Sequence, residues 1–563
     1  MSQTDLTDAL RTHFGFAGFR GMQEEVIRQF LEGGDGLVLM ATGEGKSLCY
    51  QLPAFVGDGL TVVVSPLIAL MDDQVRALHQ KKLPATCVHS MLDRDERQRR
   101  LKSALDGQTS LLYVTPERFR VPGFLDAIKE RGVARMAVDE AHCVSHWGHD
   151  FRPDYLQLGN IRRALGHPPC LALTATATPD VQRDIREVLD LEEAPLFHAG
   201  VERPNLFQSV HQPSHDSDKI ERLEAILERT GGPAIVYFAL IRDLSQAESA
   251  LNRRGIRPLI YHGDLSAHER RSQQQKFEDS EDALILATNA FGMGVDKPNI
   301  RAIVHWQIPR TLEAYYQEIG RAGRDGKPSW CELLYREEDL QIQRNFVEWA
   351  NPSRDFLRQI ADHLLGLGDR VHALDLDSLR QTFLIKNRHD GRVETCLRLL
   401  RTAGCIDGEI GFDLRLVRSP TDQELDDWVP EEKRKHDLMG LLAMVNYATG
   451  ETCRKEVVYS HFGFTDPIAP CGSCDVCLDP YSWTEQHMGK PRSIRTAAPD
   501  TGPEDVPVAR GDWLEVRGMG LVCVKRVHAG PKLLRVDVEL ARDLSERSVD
   551  LQRARWRRVE SSD

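Results

Sequence analysis

Asp139, Glu140 and His142 open the stretch "DEAHCVSHWGHDFRPDY", residues 139 to 155. Adjacent carboxylates can divide a phosphoryl-transfer site between them. One holds magnesium, usually through water, while the other polarises the attacking water. Asp139 suits the first role and Glu140 the second. Upstream, "LVLMATGEGKSLCY" reads as a strand, a glycine-bearing turn and a helix start. Gly43 and Gly45 let backbone amides close around phosphate oxygens, Lys46 adds a point charge, and the Ser47 hydroxyl can ligate magnesium. Met40 stands where the strict phosphate-loop pattern has its first glycine. "YYQEIGRAGRDG", residues 315 to 326, supplies cations. Arg321 and Arg324 would share one face if that segment is helical, as an arginine finger and its neighbour.

Two further constellations lie outside this set. Trp147, His149, Phe151 and Arg152 follow the acidic pair and form a surface suited to something flat and anionic. Aromatic faces stack on unpaired bases for about 1 to 3 kcal/mol each, whichever base it is. Cys453, seventeen residues, then Cys471, Cys474 and Cys477 offer four thiolates with two CxxC steps. That spacing suits tetrahedral zinc, and a closed four-thiolate shell marks a structural site. The remaining cysteines, Cys143 among them, read as buried thiols.

These groups must be positioned by something, and the chain shows what. Between residues 35 and 335, β-branched runs such as "TVVVSPLIAL", "RMAVDEAH", "CLALTATAT", "PAIVYFAL" and "RAIVHW" alternate with amphipathic stretches. The alternation predicts parallel sheets flanked by helices, with ligands at the carboxyl ends of the strands. The strands are too many for one lobe, and the irregular stretch 195 to 215 separates two similar lobes in tandem, 1–200 and 201–345. Residues 353–420 read as three helices and a hairpin, a winged-helix-like segment. The cysteine module follows at 421–480, a polar linker at 481–505, and a small β-rich domain at 506–563 that alternates like a β-barrel. The 563 residues fit three to five units at about 150 residues each.

The start "MSQTDLTDALRTHF" is polar, and no apolar run reaches the ~18 residues of a membrane span. The expectation is a soluble, cytoplasmic protein with no membrane partner. A net charge of −13 argues against nucleic acid only on average, since an acidic protein can carry a basic groove.

The ordered motifs "FRGMQ", "TGEGKS", "VVSPLIALMDDQ", "DEAHCVSHWGHDFRPDY", "LALTATAT", "ATNAFGMGVDKPNIR" and "YYQEIGRAGRDG" closely resemble the RecQ helicases of superfamily 2. The likeness runs from about residue 10 to 335 and resumes at the cysteines. It implies RecA-like lobes and an ATP- and magnesium-dependent DNA helicase moving 3′ to 5′ on single strands. Forked or branched DNA in repair and recombination would be its substrate. It places Phe16, Arg20 and Gln23 at adenine, with Thr42 and Gln317 also at the nucleotide. His142, Trp147, His149, Phe151 and Arg152 fall on DNA sensing and coupling, and the four cysteines on zinc. Phe16 replaces a more usual tyrosine, and His146 a common glutamine. The zinc module normally follows the lobes closely, whereas here the winged-helix-like segment precedes it. A monomer, nucleoid-associated if bacterial, with protein partners at the winged-helix-like or C-terminal domain is the further expectation. A DEAH-type RNA helicase and an ATP-gated DNA-binding scaffold are the rival readings.

Overall fold

The computed structural model describes residues 3–41, 43–145, 152–198, 200, 203–292, 295, 297–384, 390–408, 410, 413–429, 431–465 and 470–488, together with the C-terminal strands given below. The chain forms two compact units, one of residues 1–247 and 258–492, the other of 248–257 and 493–563.

In the larger unit, the first seven strands are β1 (Gly36–Leu39), β2 (Leu60–Val64), β3 (Ala85–Val88), β4 (Leu111–Val114), β5 (Val133–Asp139), β6 (Cys170–Thr174) and β7 (Leu196–His198). They form one parallel sheet in the order β3-β4-β2-β5-β6-β1-β7. β1, β2, β4 and β6 are buried along their whole length, which is why they read as unbroken apolar runs. A second parallel sheet joins β8 (Leu206–His211), β9 (Ala234–Tyr237), β10 (Leu259–Tyr261), β11 (Leu284–Ala287), β12 (Ala302–His305) and β13 (Ser329–Leu334). Its order is β10-β11-β9-β12-β13-β8. Two RecA-like lobes in tandem are therefore present, with the change of sheet between His198 and Leu206.

After the second lobe, helix Leu340–Ala350 runs beside helix Glu431–Thr449. Asn351 joins them, donating to Asp437 at 2.7 Å and accepting from Lys433 at 2.9 Å. Between them come helices Arg354–Leu367, Leu376–Phe383 and Arg392–Thr402, the antiparallel pair β14 (Ile406–Asp407) and β15 (Arg415–Leu416), and helix Asp422–Trp428. Leu357, Ile360, Leu379, Val393, Leu400 and Leu425 give this segment a core of its own.

The stretch expected to be a linker from residue 481 is helical at its start, Pro480–His487. Asp479 caps that helix, Pro480 occupies its first turn, and buried Trp483 packs on Phe207 and Trp330 at 4.9 and 6.1 Å. Its polar composition hid one large apolar anchor.

The smaller unit carries β16 (Trp513–Val516), β17 (Gly520–Gly530), β18 (Leu533–Leu540), β19 (Glu546–Asp550) and β20 (Trp556–Val559). All pairings are antiparallel, in the order β19-β18-β17-β16-β20. Val522, Val524, Val536 and Val538 alternate into its buried face. β19 and β20 are the sheet's ends and do not pair among the described residues, so the expected barrel is, as described, an open sheet. No helix among the described residues is long and apolar enough to cross a membrane.

Candidate nucleotide site and cysteine centre

The phosphate loop grows out of β1, which lies next to β6 with Leu39 level with Thr174. Met40 donates its amide to the Thr174 carbonyl at 3.1 Å, and there the chain leaves the sheet. Gly43 and Gly45 then take φ of +92° and +83°, a region that strains any side chain. The loop is held from within. The Glu44 carboxylate accepts from the Ala41 amide at 3.0 Å, and Lys46 donates to the Met40 carbonyl at 3.0 Å. It is held from outside by Gln23, the first residue of helix Gln23–Leu31. The Gln23 amide donates to the Glu44 carbonyl at 2.8 Å, and its oxygen accepts from the Arg20 backbone at 2.9 Å. Phe16, half exposed, stacks on Phe14 at 6.5 Å and leaves an aromatic face at the cleft.

β5 delivers the acidic pair. Asp139 ends that strand, buried and level with Leu173 of β6, so it stands across β6 from the strand that carries the loop. Glu140 follows in the left-handed conformation, φ +49°, which is uncommon for a side-chain-bearing residue and turns it off the strand axis. The Asp139 carboxylate accepts from the Glu140 amide at 3.1 Å, and the Tyr155 hydroxyl donates to the Asp139 carbonyl at 3.1 Å. Glu140 Oε2 is buried, has no hydrogen-bond partner among the described residues, and lies 3.4 Å from His142 Nδ1. A buried carboxylate oxygen without a donor beside a second buried carboxylate fits a hydrated divalent cation. His142 Nδ1 sits 2.8 Å from the Thr174 hydroxyl, tying the acidic turn to the end of β6.

The charges are strongly perturbed. Burial, then the Glu140 charge, pushes Asp139 up to about 7 against the pull of Lys46. Burial pushes His142 down to about 3, with Lys46 and Arg152 adding to it and Glu313 opposing, so the imidazole is neutral. Burial also raises Glu44 despite the Ala41 amide, Arg203 and Lys46.

From the second lobe, helix Leu312–Ile319 is capped by Thr311, whose hydroxyl accepts from the Ala314 amide at 3.2 Å. The helix ends at Ile319, and Gly323 at φ +54° turns the chain. Arg321 and Arg324 therefore lie in turns rather than on the helical face considered from their spacing. Arg321 bonds the Gly292 carbonyl, and Arg324 donates to the Val295 carbonyl at 2.9 Å. Every described residue assigned from sequence to the nucleotide or its chemistry, from Phe16 to Arg324 and including Gln317, lines one cleft of about 2140 Å³.

Arg203 escaped the sequence reading. Its guanidinium donates to the carbonyls of Gly320, Ala322 and Gly323 at 3.3, 2.9 and 3.0 Å, bracing the turn that carries both arginines. Its partners are backbone atoms far along the chain, so only its place in the irregular inter-lobe stretch could have drawn attention. Arg152 was named for DNA. It donates from its backbone to Cys143 at 3.0 Å and from its side chain to the Pro66 carbonyl at 3.2 Å, linking the acidic turn to the end of β2. Thr42, His146, Trp147, His149 and Phe151 lie outside the described residues.

The ligand atoms of Cys453, Cys471, Cys474 and Cys477 all lie within 4.8 Å of one another, with Cys474 Sγ 3.9 Å from Cys453 Sγ. A tetrahedral ion with Zn–S bonds of ~2.3 Å would hold its sulfurs about 3.8 Å apart, so the cluster fits zinc. The cysteine loop also extends the second sheet. Gln208 of β8 donates to Ser473 at 3.1 Å and accepts from Asp475 at 3.0 Å, and the Asp475 carboxylate takes the Val210 amide at 2.9 Å. Arg454 locks that carboxylate at 2.8 Å.

Comparison with known proteins matches three family models. A DEAD/DEAH box helicase covers residues 20–185, a helicase conserved C-terminal domain covers 218–326, and a RecQ zinc-binding domain covers 413–478. The chain is 41% identical over 383 residues to "Probable ATP-dependent DNA helicase RecS" of Bacillus subtilis, covering 68% of this chain and 76% of that protein. It is 39% identical to the ATP-dependent DNA helicase RecQ of Haemophilus influenzae over 84% of this chain, spanning 63% of that protein's length. Against the protein of that name from Synechocystis, identity is 34% over 84% of this chain and 98% of its length.

Proposed function

The chain belongs to the RecQ family of ATP-dependent DNA helicases, and on that premise we propose that it couples ATP hydrolysis to 3′ to 5′ movement along single-stranded DNA. Forked or branched duplexes are the substrate we assign, in repair and recombination. The observation that carries this reading is the shared cleft, in which the phosphate loop and acidic pair of one lobe face Gln317, Arg321 and Arg324 of the other.

Phe16 stacks on the adenine and Gln23 sets the loop to which it is bonded. Lys46 exchanges its bond with Met40 for the phosphates. Ser47 and Asp139 are the residues that would hold magnesium, which would supply positive charge to the phosphate oxygens. Glu140, held off the strand by its left-handed backbone, orients the attacking water. Arg321 and Arg324 balance the charge that develops on the transferred group. Arg152 passes the state of the adjoining aromatic stretch to the acidic turn through Cys143. Thr42, Trp147, His149 and Phe151 keep their sequence-based roles as proposals, as do the domain limits 1–200, 201–345, 353–420 as a winged helix, and 421–480. Zinc at the four cysteines is structural. A cytoplasmic or nucleoid-bound monomer, with protein partners at the winged-helix-like or C-terminal segments, completes the reading.

The test is ATP turnover with no nucleic acid, with single-stranded DNA and with RNA, followed by unwinding of tailed, forked and four-way substrates. DNA-selective stimulation with unwinding from a 3′ tail is expected. Turnover indifferent to DNA would reject the reading, and RNA-selective stimulation would favour the RNA helicase.

A further inference from the structure

Helix Arg454–His461 of the cysteine module ends at the ATP cleft, and its last residue and the three that follow, His461 to Phe464, touch both lobes. The first two face the second lobe. His461 Nε2 lies 2.7 Å from a carboxylate oxygen of Glu313, and Phe462 meets Tyr316 edge-on at 5.5 Å. Glu313 and Tyr316 both belong to helix Leu312–Ile319, which carries Gln317 and leads into the arginine turn. The next two face the first lobe. Gly463, at φ +84°, sits so close to Pro179 that a β-carbon there would lie 2.6 Å from Pro179 Cγ. The Phe464 ring lies 4.7 Å from His198, the last residue of β7. Pro179 opens helix Pro179–Leu189, directly after the strand end that holds His142 through Thr174.

Four consecutive residues thus change sides at Gly463, and a side chain there would separate the segment from the first lobe. Phe462 and Phe464 are buried, so the segment is packed rather than draped. The segment is also rooted in the zinc site. Cys453 is the N-cap of its helix, and Lys455 in the first turn donates to the Arg203 carbonyl at 2.7 Å. Arg203 is the residue that braces the arginine turn. A helix end that grips the helix leading into the arginine turn on one side and abuts the first lobe on the other sets the distance the arginines must span.

We propose that His461–Phe464 is a strap by which the cysteine module fixes the approach of the two lobes, with His461 a positioning residue for helix Leu312–Ile319. This rests on the ATPase reading above. His461 lies at the cleft wall and in this proposal acts through Glu313, to which it is bonded. Gly463 is the residue that lets the strap seat on Pro179.

The experiment compares the full chain with His461→Ala, His461→Gln and Gly463→Ala. Four quantities are read: zinc content, kcat and KM for ATP with saturating single-stranded DNA, and amide exchange of residues 312–319. Losing a charge-assisted hydrogen bond at this position is expected to lower kcat about tenfold in His461→Ala. KM should change less than twofold, zinc should stay at one per chain, and exchange of 312–319 should rise. His461→Gln, which can still donate to Glu313, should recover most of the rate. Gly463→Ala should lower kcat with its zinc retained. A kcat for His461→Ala within twofold of the parent, equal losses in the Gln and Ala variants, or loss of rate only together with zinc would each overturn the proposal. The parent protein keeps the two readings apart. Absent DNA-stimulated turnover in the parent rejects the ATPase assignment, while the exchange of residues 312–319 still decides the strap.

Discussion

Gly43 and Arg324 meet across the cleft: a β-carbon on Gly43 would lie 2.8 Å from Cγ of Arg324. The phosphate loop of one lobe thus accepts the aliphatic stem of an arginine from the other, and only glycine leaves it room. Two substitutions separate the consequences. Arg324→Ala removes the charge and should lower kcat about a thousandfold, the size expected for an arginine finger, with nucleotide affinity changed only a few-fold. Gly43→Ala adds a methyl at φ +92° and should weaken nucleotide binding as well. Phosphate release and binding of a fluorescent nucleotide measure the two effects. Unchanged turnover in Arg324→Ala would remove that residue from the chemistry.

Phe16 offers its face to the cleft while Phe14 supports it from behind. Phe16→Ala should therefore raise KM for ATP by about tenfold, the worth of one base-stacking contact at ~1 to 3 kcal/mol, and leave kcat at saturation nearly intact. A kcat effect without a KM effect would contradict an adenine platform.

Cys474 is buried where the cysteine loop pairs with Gln208 of β8. Cys474→Ser should release zinc, lower the melting temperature and expose the β8 amides to exchange, because zinc binding energy is folding energy in such modules. Zinc retained at one per chain with an unchanged melting temperature would refute the ligand set.

Much of this site was legible because its chemistry is local in sequence. The loop, the acidic pair and the cysteines are short motifs, and the fully buried strands β1, β2, β4, β6, β9, β11 and β12 are apolar runs. A strand with a charged residue inside it was harder. β13 is fully buried, yet "SWCELL" contains Glu332, which looks like a surface residue until Arg222, Ser209 and the Trp330 indole are seen to satisfy it. Arg203 and the pair His461–Glu313 were invisible for a different reason. Their partners lie more than a hundred residues away, and nothing in local composition records a bond of that reach. The arginine spacing suits one face only if the segment is helical, and that condition fails, because the helix ends at Ile319 with Gly320 as its cap and Gly323 turns the chain between the two arginines.

The His461–Glu313 pair also leaves a mark on stability. Burial alone would raise Glu313, but the His461 hydrogen bond and charge, with help from its own backbone and Thr311, outweigh it and hold the carboxyl at about 2, below the usual 4.5. A depressed folded-state value stabilises the protein above the unfolded value, and that contribution fades as pH falls from about 4.5 towards 2. It amounts to roughly 3 kcal/mol when complete. In His461→Ala the burial effect stands without its main opponent, so the carboxyl rises and the stabilisation gained above the unfolded value shrinks. The difference in unfolding midpoint between parent and variant should therefore widen from pH 3 to pH 6. Taking the difference cancels the other carboxylates, which titrate alike in both proteins. Parallel midpoint curves over that range would mean that His461 does not hold the Glu313 charge.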